Sequence, residues 1–145
     1  MFFGTFTHSL DDAGRLTIPA RIREAVAGSG DADRLVLTCG AEPCIVVYPQ
    51  SRVAEIMASM KSGAIKPAEA REFKRIFGGE GAMESWDRQG RILLAEALRL
   101  HAGITREVVI VGAVDCFEIW DAERYRQHHD RAKSAYENVA GKIIQ

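Results

Sequence analysis

Two short motifs hold the residues most capable of chemistry. Asp11-Asp12-Ala13-Gly14-Arg15 returns 76 positions later as Asp87-Arg88-Gln89-Gly90-Arg91, with the same Asp-x-x-Gly-Arg spacing. The aspartate and glycine are accounted for by a turn: the carboxylate accepts from nearby backbone N–H groups, and glycine supplies a positive φ. A turn gives no reason for an arginine after the glycine in both copies. A guanidinium grips a phosphate, or reads O6 and N7 of guanine with two hydrogen bonds, discriminating by about 1–3 kcal/mol per base. Arg21 and Arg23 follow the first motif, and Arg88 and Arg99 accompany the second. Residue spacing alone leaves a bare hairpin turn and a nucleic-acid contact both open. A carboxylate dyad sharing one proton fails on alignment, because Asp12-Ala13-Gly14 falls on Arg88-Gln89-Gly90. Phosphate-binding glycine loops, nucleophile elbows and His-Glu metal motifs are missing from the sequence, so neither an enzyme nor a cofactor is expected.

The cysteines point the same way. Cys39, Cys44 and Cys116 are odd in number and are expected as reduced thiols packed as small apolar groups. Cys39-x4-Cys44 has no histidine or second cysteine pair near it in sequence, so no metal site is expected. His128 and His129 are neighbours on a predicted helix and point about 100° apart, which makes them poor co-ligands.

The elements that position the motifs are themselves repeated. Ile22, Ala25 and Val26 align with Leu98, His101 and Ala102, the i, i+3, i+4 face of a short helix. Arg34 to Thr38 aligns with Glu107 to Val111, and Cys44 to Pro49 with Cys116 to Asp121. Each copy therefore reads as strand, turn, strand, helix, strand, strand, giving an α+β fold. One copy of about 50 residues buries too little apolar surface alone, so the two copies are expected to form one body. Val53, Ile56, Met57 and Met60 predict a helix between the copies, and a second runs from about Pro67 to Phe77 until Gly78-Gly79 ends it. A last helix follows Asp121, its cap, with Tyr125, His129, Ala132, Tyr136 and Val139 on one stripe. Both stripes are expected as core; used as interfaces instead, they would make the chain a ring-forming interaction scaffold without specific DNA binding. The predicted units are a first module at 1–52, a helical linker at 53–80, a second module at 81–124 and a C-terminal helix at 125–145.

Composition narrows the class. Apolar residues make up 47% and charged residues 27% of the 145 positions, the balance of an ordinary globular protein. Nineteen Lys and Arg against 20 Asp and Glu leave a net charge of −1, which argues mildly against a nucleic-acid partner unless the arginines gather on one face. No segment reaches the roughly 20 apolar residues of a membrane span, and Met1-Phe2-Phe3-Gly4-Thr5 lacks a basic signal-peptide start. A cytoplasmic location is expected.

Leu10-Asp11-Asp12-Ala13-Gly14-Arg15-Leu16-Thr17-Ile18-Pro19, followed by Arg21 and Arg23, resembles the swapped-hairpin module of the AbrB superfamily of bacterial DNA-binding regulators. Two such modules, the Met-Phe-x-Gly start, and Val109-Ile110-Val111-Gly112 after the second Gly-Arg resemble the MraZ family over almost the whole chain. The resemblance implies two SpoVT/AbrB-like modules forming one pseudo-symmetric β-barrel core decorated by short helices. It further implies a transcriptional regulator of the bacterial division and cell-wall gene cluster, located in the cytoplasm and nucleoid. Its partners would be double-stranded DNA carrying promoter direct repeats and further copies of itself, in a ring of eight or twelve. It assigns DNA contact to Arg15 and Arg91, with Arg21, Arg23 and Arg88 as flanking contacts, and turn shaping to Asp11, Gly14, Asp87 and Gly90. The second module departs from the first at Ala95, aligned with Pro19, and at Ala97, aligned with Arg21.

Overall fold

The computed structural model describes residues 1–30 and 34–144. Both halves contain the predicted order of elements. The first runs β1 (Thr5–Ser9), β2 (Arg15–Thr17), α1 (Ala20–Gly28), β3 (Arg34–Cys39) and β4 (Ile45–Pro49). After α2 (Gln50–Ser59), a 3-10 turn (Met60–Ser62) and α3 (Pro67–Gly79), the second runs β5 (Ala82–Ser85), β6 (Arg91–Leu93), α4 (Glu96–Ala102), β7 (Glu107–Gly112) and β8 (Phe117–Asp121). α5 (Ala122–Ile143) closes the described chain; Gln145, counted in the predicted C-terminal unit, lies outside the described residues.

The halves exchange strands. β1 pairs with β7 of the other half, Phe6 opposite Ile110, while β5 pairs with β3, Val36 opposite Met83. β4 and β8, equivalent strands, meet with Ile45 opposite Ile119. The result is one antiparallel six-stranded sheet ordered β1-β7-β8-β4-β3-β5 and a separate ribbon of β2 with β6. Among the described residues the strand pairing gives no closed barrel for the expected β-barrel core: β1 and β5 end the large sheet, and β2–β6 stands apart from it. Each turn closes on itself, with Asp11 N–H donating to Arg15 O at 2.9 Å and Asp87 N–H to Arg91 O at 2.8 Å. Past the turn the two strands part, because each finds its ladder partner in the opposite half.

Alternation along the strands explains the packing. Leu16 and Ile92 on the ribbon, Ile22 and Leu98 on α1 and α4, and Leu35, Leu37, Val108 and Ile110 on the sheet share one core with almost no exposed surface. Burying each such side chain is worth about 1.5–3 kcal/mol, so the helices predicted from Ile22 and Leu98 are held by packing more than by propensity. Neither α1 nor α4 has a side-chain cap. α5 does have its predicted cap, Asp121 accepting from Arg124 N–H at 3.1 Å.

Two further expectations need correcting. α3 runs past Phe77 through Gly78 and ends on Gly79, two residues later than expected, and Glu80 N–H still donates to Ile76 O at 3.0 Å. The C-terminal glycines here are tolerated because the helix end is tied to the sheet, with Thr38 Oγ1 donating to Phe77 O at 2.8 Å. The stripes expected as core differ: Val53, Ile56 and Met57 on α2 and Met60 just after it are half-buried, whereas most of the α5 stripe is exposed, and neither helix has a fully buried residue. On α5 the first turns rest on Trp120, whose ring lies 5.7 Å from Tyr125 and 4.8 Å from His128. A 22-residue helix extends about 33 Å, which outruns the sheet, and Tyr136 and Ile143 remain 57% and 76% exposed.

Candidate nucleic-acid interface

Strand exchange brings the two repeated motifs side by side. β2 and β6 pair with Arg15 opposite Leu93, Leu16 opposite Ile92 and Thr17 opposite Arg91. Successive side chains alternate in a strand, so Leu16 and Ile92 point into the core while Arg15, Thr17, Arg91 and Leu93 form the outer face. The Arg15 side chain is 41% exposed and that of Arg91 26%. Ribbon and turns are locked at both ends, since Ile18 N–H donates to Gly90 O at 2.8 Å and Leu94 N–H to Gly14 O at 2.9 Å.

The aspartates do what turn chemistry requires. Asp11 Oδ1 accepts from Ala13 N–H at 2.9 Å and Arg15 N–H at 2.8 Å, while Oδ2 accepts from Arg15 Nε at 3.1 Å. Asp87 repeats the pattern with Gln89 N–H at 2.9 Å, Arg91 N–H at 3.0 Å and Arg91 Nε at 3.0 Å. The Arg15 backbone N–H, joined by that of Ala13 and by the Arg15 guanidinium, outweighs partial desolvation and holds the Asp11 carboxyl below its ordinary pKa. Asp87 is lowered in the same way, chiefly by the Arg91 N–H. Both stay ionised, and each keeps its arginine's Nε end fixed.

Arg91 also reaches across to Asp11, its Nη1 lying 3.5 Å from Oδ2. This bridge joins the two motifs directly, and no single-copy reading of the sequence could have found it. Arg23 and Arg99, equivalent positions, cross over as well. Arg23 Nε donates to Ile18 O at 3.1 Å and its guanidinium lies over Gly90, whereas Arg99 Nε donates to Leu94 O at 2.9 Å and its guanidinium lies over Gly14. Arg23 was expected as a flanking contact and is placed as a brace for the opposite turn. Arg99 was left out of the expected contacts, although it holds the equivalent position to Arg23 76 places on. Arg21 and Arg88 are exposed, Arg21 on α1 and Arg88 at the second turn; among the described residues neither enters an ion pair.

The arrangement can present two oriented guanidinium groups on a narrow, rigid, two-stranded ribbon, the shape that a DNA major groove admits. Arginines anchored through Nε keep their Nη groups at a fixed angle, and preorganised donors lose less entropy on binding.

Comparison with known proteins agrees with this duplication. The MraZ family profile, described as "MraZ protein, putative antitoxin-like", matches twice, over residues 1–76 and 76–142. A protein of Thermomicrobium roseum named "Transcriptional regulator MraZ" is 43% identical over 125 residues, 86% of this chain and 84% of its own length. One of the same name from Lactobacillus delbrueckii subsp. bulgaricus is 42% identical over 97% of this chain and 94% of its own. A third, from Desulforamulus reducens, is 39% identical over 99% and 98%. With both halves matched and near-complete relatives at this identity, the chain belongs to the MraZ family.

Proposed function

We propose that this chain is a transcriptional regulator that binds double-stranded DNA sequence-specifically through the β2–β6 ribbon, at direct repeats in the promoter of the bacterial division and cell-wall gene cluster. The observation that carries this reading is the placement of Arg15 and Arg91 together on the outer face of one ribbon, backed by buried Leu16 and Ile92. Arg15 and Arg91 are the base or phosphate contacts. Arg21 and Arg88 add flanking phosphate contacts, and the Nη groups of Arg23 join them while its Nε holds Ile18. Asp11, Gly14, Asp87 and Gly90 shape the turns. The relatives' shared name, "Transcriptional regulator MraZ", supports the regulatory role, and no catalytic step is assigned.

On this reading, residues 1–52 and 81–124 are the two SpoVT/AbrB-like modules of a swapped-hairpin core, 53–80 is the linker, 125–145 is the C-terminal unit, and the protein works in the cytoplasm and nucleoid. Among the described residues no helix is long and apolar enough to cross a membrane. Copies assemble as a ring of eight or twelve, which compensates for a small contact surface. Tethered copies on successive repeats raise affinity by roughly 10²–10⁴. Exposed Phe73 and Ile76 on α3, together with the Tyr136, Val139 and Ile143 stripe on α5, supply apolar surface for such contacts. The same exposed stripes favour the second reading, an interaction scaffold without specific DNA binding.

Binding to a duplex with several direct repeats from upstream of the protein's own gene, against a scrambled duplex, separates the two. The regulator predicts a preference for the repeats and a steep decline with salt. Equal weak binding to both duplexes sinks it and leaves the scaffold.

A further inference from the structure

The outer face of the large sheet, away from the ribbon, gathers three ligating groups from separate stretches of chain. Cys44 immediately precedes β4, Glu42 lies in the turn before it, and Glu118 sits on β8, paired with Val46. Their Sγ and carboxylate oxygens all lie within 4.8 Å of one another. A tight turn, Cys44 N–H donating to Glu42 O at 2.7 Å, folds the first two together. Trp120 Nε1 donates to Glu118 Oε1 at 3.0 Å and fixes the third.

Apolar packing alone does not account for this cluster. Cys44 is fully buried, and its thiol has no hydrogen-bond partner among the described residues although it faces two carboxylates. Neither Glu42 nor Glu118 enters an ion pair among the described residues, so two negative groups face a thiol with no cation between them. Burial, then Glu118 and Glu42, push the Cys44 thiol well above its ordinary value. The same surroundings that oppose a bare thiolate favour one whose proton has been replaced by a divalent cation.

We propose that Cys44, Glu42 and Glu118 form a binding site for a borderline-soft divalent cation of the zinc type. One sulfur and two carboxylate oxygens are a donor set such an ion accepts at about 2.3 and 2.0–2.2 Å. At these bond lengths a tetrahedral ion holds its ligand atoms roughly 3.4–3.6 Å apart, so separations of up to 4.8 Å must close by up to about 1.4 Å, through rotation of the exposed Glu42 side chain and a smaller adjustment of Glu118. Glu42 is the solvent-facing ligand, which leaves a fourth position for water. Binding releases one proton, from Cys44, to solvent. Hard ions such as magnesium and calcium gain nothing from the sulfur. The sequence argued against a metal because Cys39-x4-Cys44 lacks further ligands nearby; Glu118 arrives only through the β4–β8 pairing. This site stands independently of the proposed DNA interface.

The test is titration of the full, reduced chain with Co²⁺, followed by displacement with Zn²⁺. One equivalent of cobalt is expected to produce thiolate-to-metal charge-transfer absorption. The band is expected to be absent in Cys44→Ser, and to persist in Cys39→Ser and Cys116→Ser. Glu118→Gln keeps an acceptor for the Trp120 indole while losing its charge, and should weaken cobalt by about 10–100-fold. Zn²⁺ should also raise the unfolding temperature of the wild type more than that of Glu118→Gln, a readout that holds even if Cys44→Ser folds poorly. Cobalt bound without sulfur absorption, a band that survives Cys44→Ser, or equal zinc stabilisation in Glu118→Gln would each overturn the site.

Discussion

Replacing the two turn glycines with alanine should have unequal effects, although the two turns have nearly the same backbone. Gly14 has φ +79° and Gly90 φ +78°, so a Cβ at either position incurs the left-handed penalty of roughly 1–2 kcal/mol. Their neighbours differ. A Cβ on Gly14 meets the Arg99 Cζ at 3.6 Å, an ordinary contact, but on Gly90 it comes within 3.0 Å of Arg23 Cζ and Nε. The Arg23 guanidinium must give by a few tenths of an ångström, and in doing so it weakens its bond to the Ile18 carbonyl, now at 3.1 Å. One net hydrogen bond is worth about 0.5–1.5 kcal/mol. Gly14→Ala should therefore lose about 1–2 kcal/mol, and Gly90→Ala more, by up to about 1.5 kcal/mol if the bond is lost altogether. Urea unfolding of both variants at one fixed protomer concentration measures the difference without an assembly contribution. Adding Arg23→Ala should remove the excess at Gly90 and leave Gly14→Ala unaffected. Equal losses in the two single variants, or an excess at Gly90 that persists without Arg23, would refute the idea that Arg23 braces the opposite turn.

Three further outcomes are expected. Arg15→Ala and Arg91→Ala should each weaken binding to the repeat duplex by about 1–3 kcal/mol and lower the salt slope by about one if phosphate is contacted; undiminished binding in a salt-matched titration would remove both from the interface. Both turn carboxyls are held below their ordinary value of 3.8, so their contribution to stability is present above that pH and fades as pH falls through the depressed values. Unfolding midpoints between about pH 4 and pH 2 should thus fall more steeply in the wild type than in the Asp11→Asn, Asp87→Asn double variant, and parallel slopes would contradict the assignment. Val114, a β-branched residue at φ +73°, is bridged to Phe2 by Phe2 N–H at 2.8 Å and Val114 N–H at 3.0 Å. Val114→Asn should relieve part of a roughly 1–2 kcal/mol strain and raise the thermal midpoint; a lower midpoint would show that the Val114 side chain is needed there.

Local signals were legible in the sequence. The Asp-x-x-Gly-Arg spacing specified the turns down to the Asp11 and Asp87 hydrogen bonds, and Ile22 with Val26 and Leu98 with Ala102 marked the buried faces of α1 and α4. The repeat gave the order of elements because each copy had to form the same unit. Long-range partners were not legible. The sequence contains nothing to show that Thr17 lies opposite Arg91, or that β1 chooses β7 over its own half, since strand partners depend on how two equivalent apolar faces are shared. Helix edges failed where tertiary contacts took over, as at Gly78 and Gly79. The α5 stripe misled for a related reason. Periodicity reports that a face is apolar, not what covers it, and among the described residues Tyr136, Val139 and Ile143 on α5 stay exposed.

Fusing two modules in one chain frees the ribbon from symmetry. A pair of identical chains would give a ribbon with two equal ends, and its natural target would be a palindrome, because half-sites mirror the protein's two-fold axis. Here the ends have diverged. The first turn has Asp12 where the second has Arg88, and α1 carries Arg21 where α4 carries Ala97. Asp12 is fully exposed and only loosely met by Arg106 at 3.8 Å, so it places negative charge at one corner while Arg88 places positive charge at the other. The shared core still demands strict equivalence, as Leu16 with Ile92 and Ile22 with Leu98 show, but the exposed positions do not. On the proposed function, a ribbon with one basic and one mixed end has a preferred direction on a duplex. Copies that each bind in one direction suit repeats that all point the same way, which links the asymmetry of Asp12 and Arg88 to a direct-repeat target in preference to a palindrome.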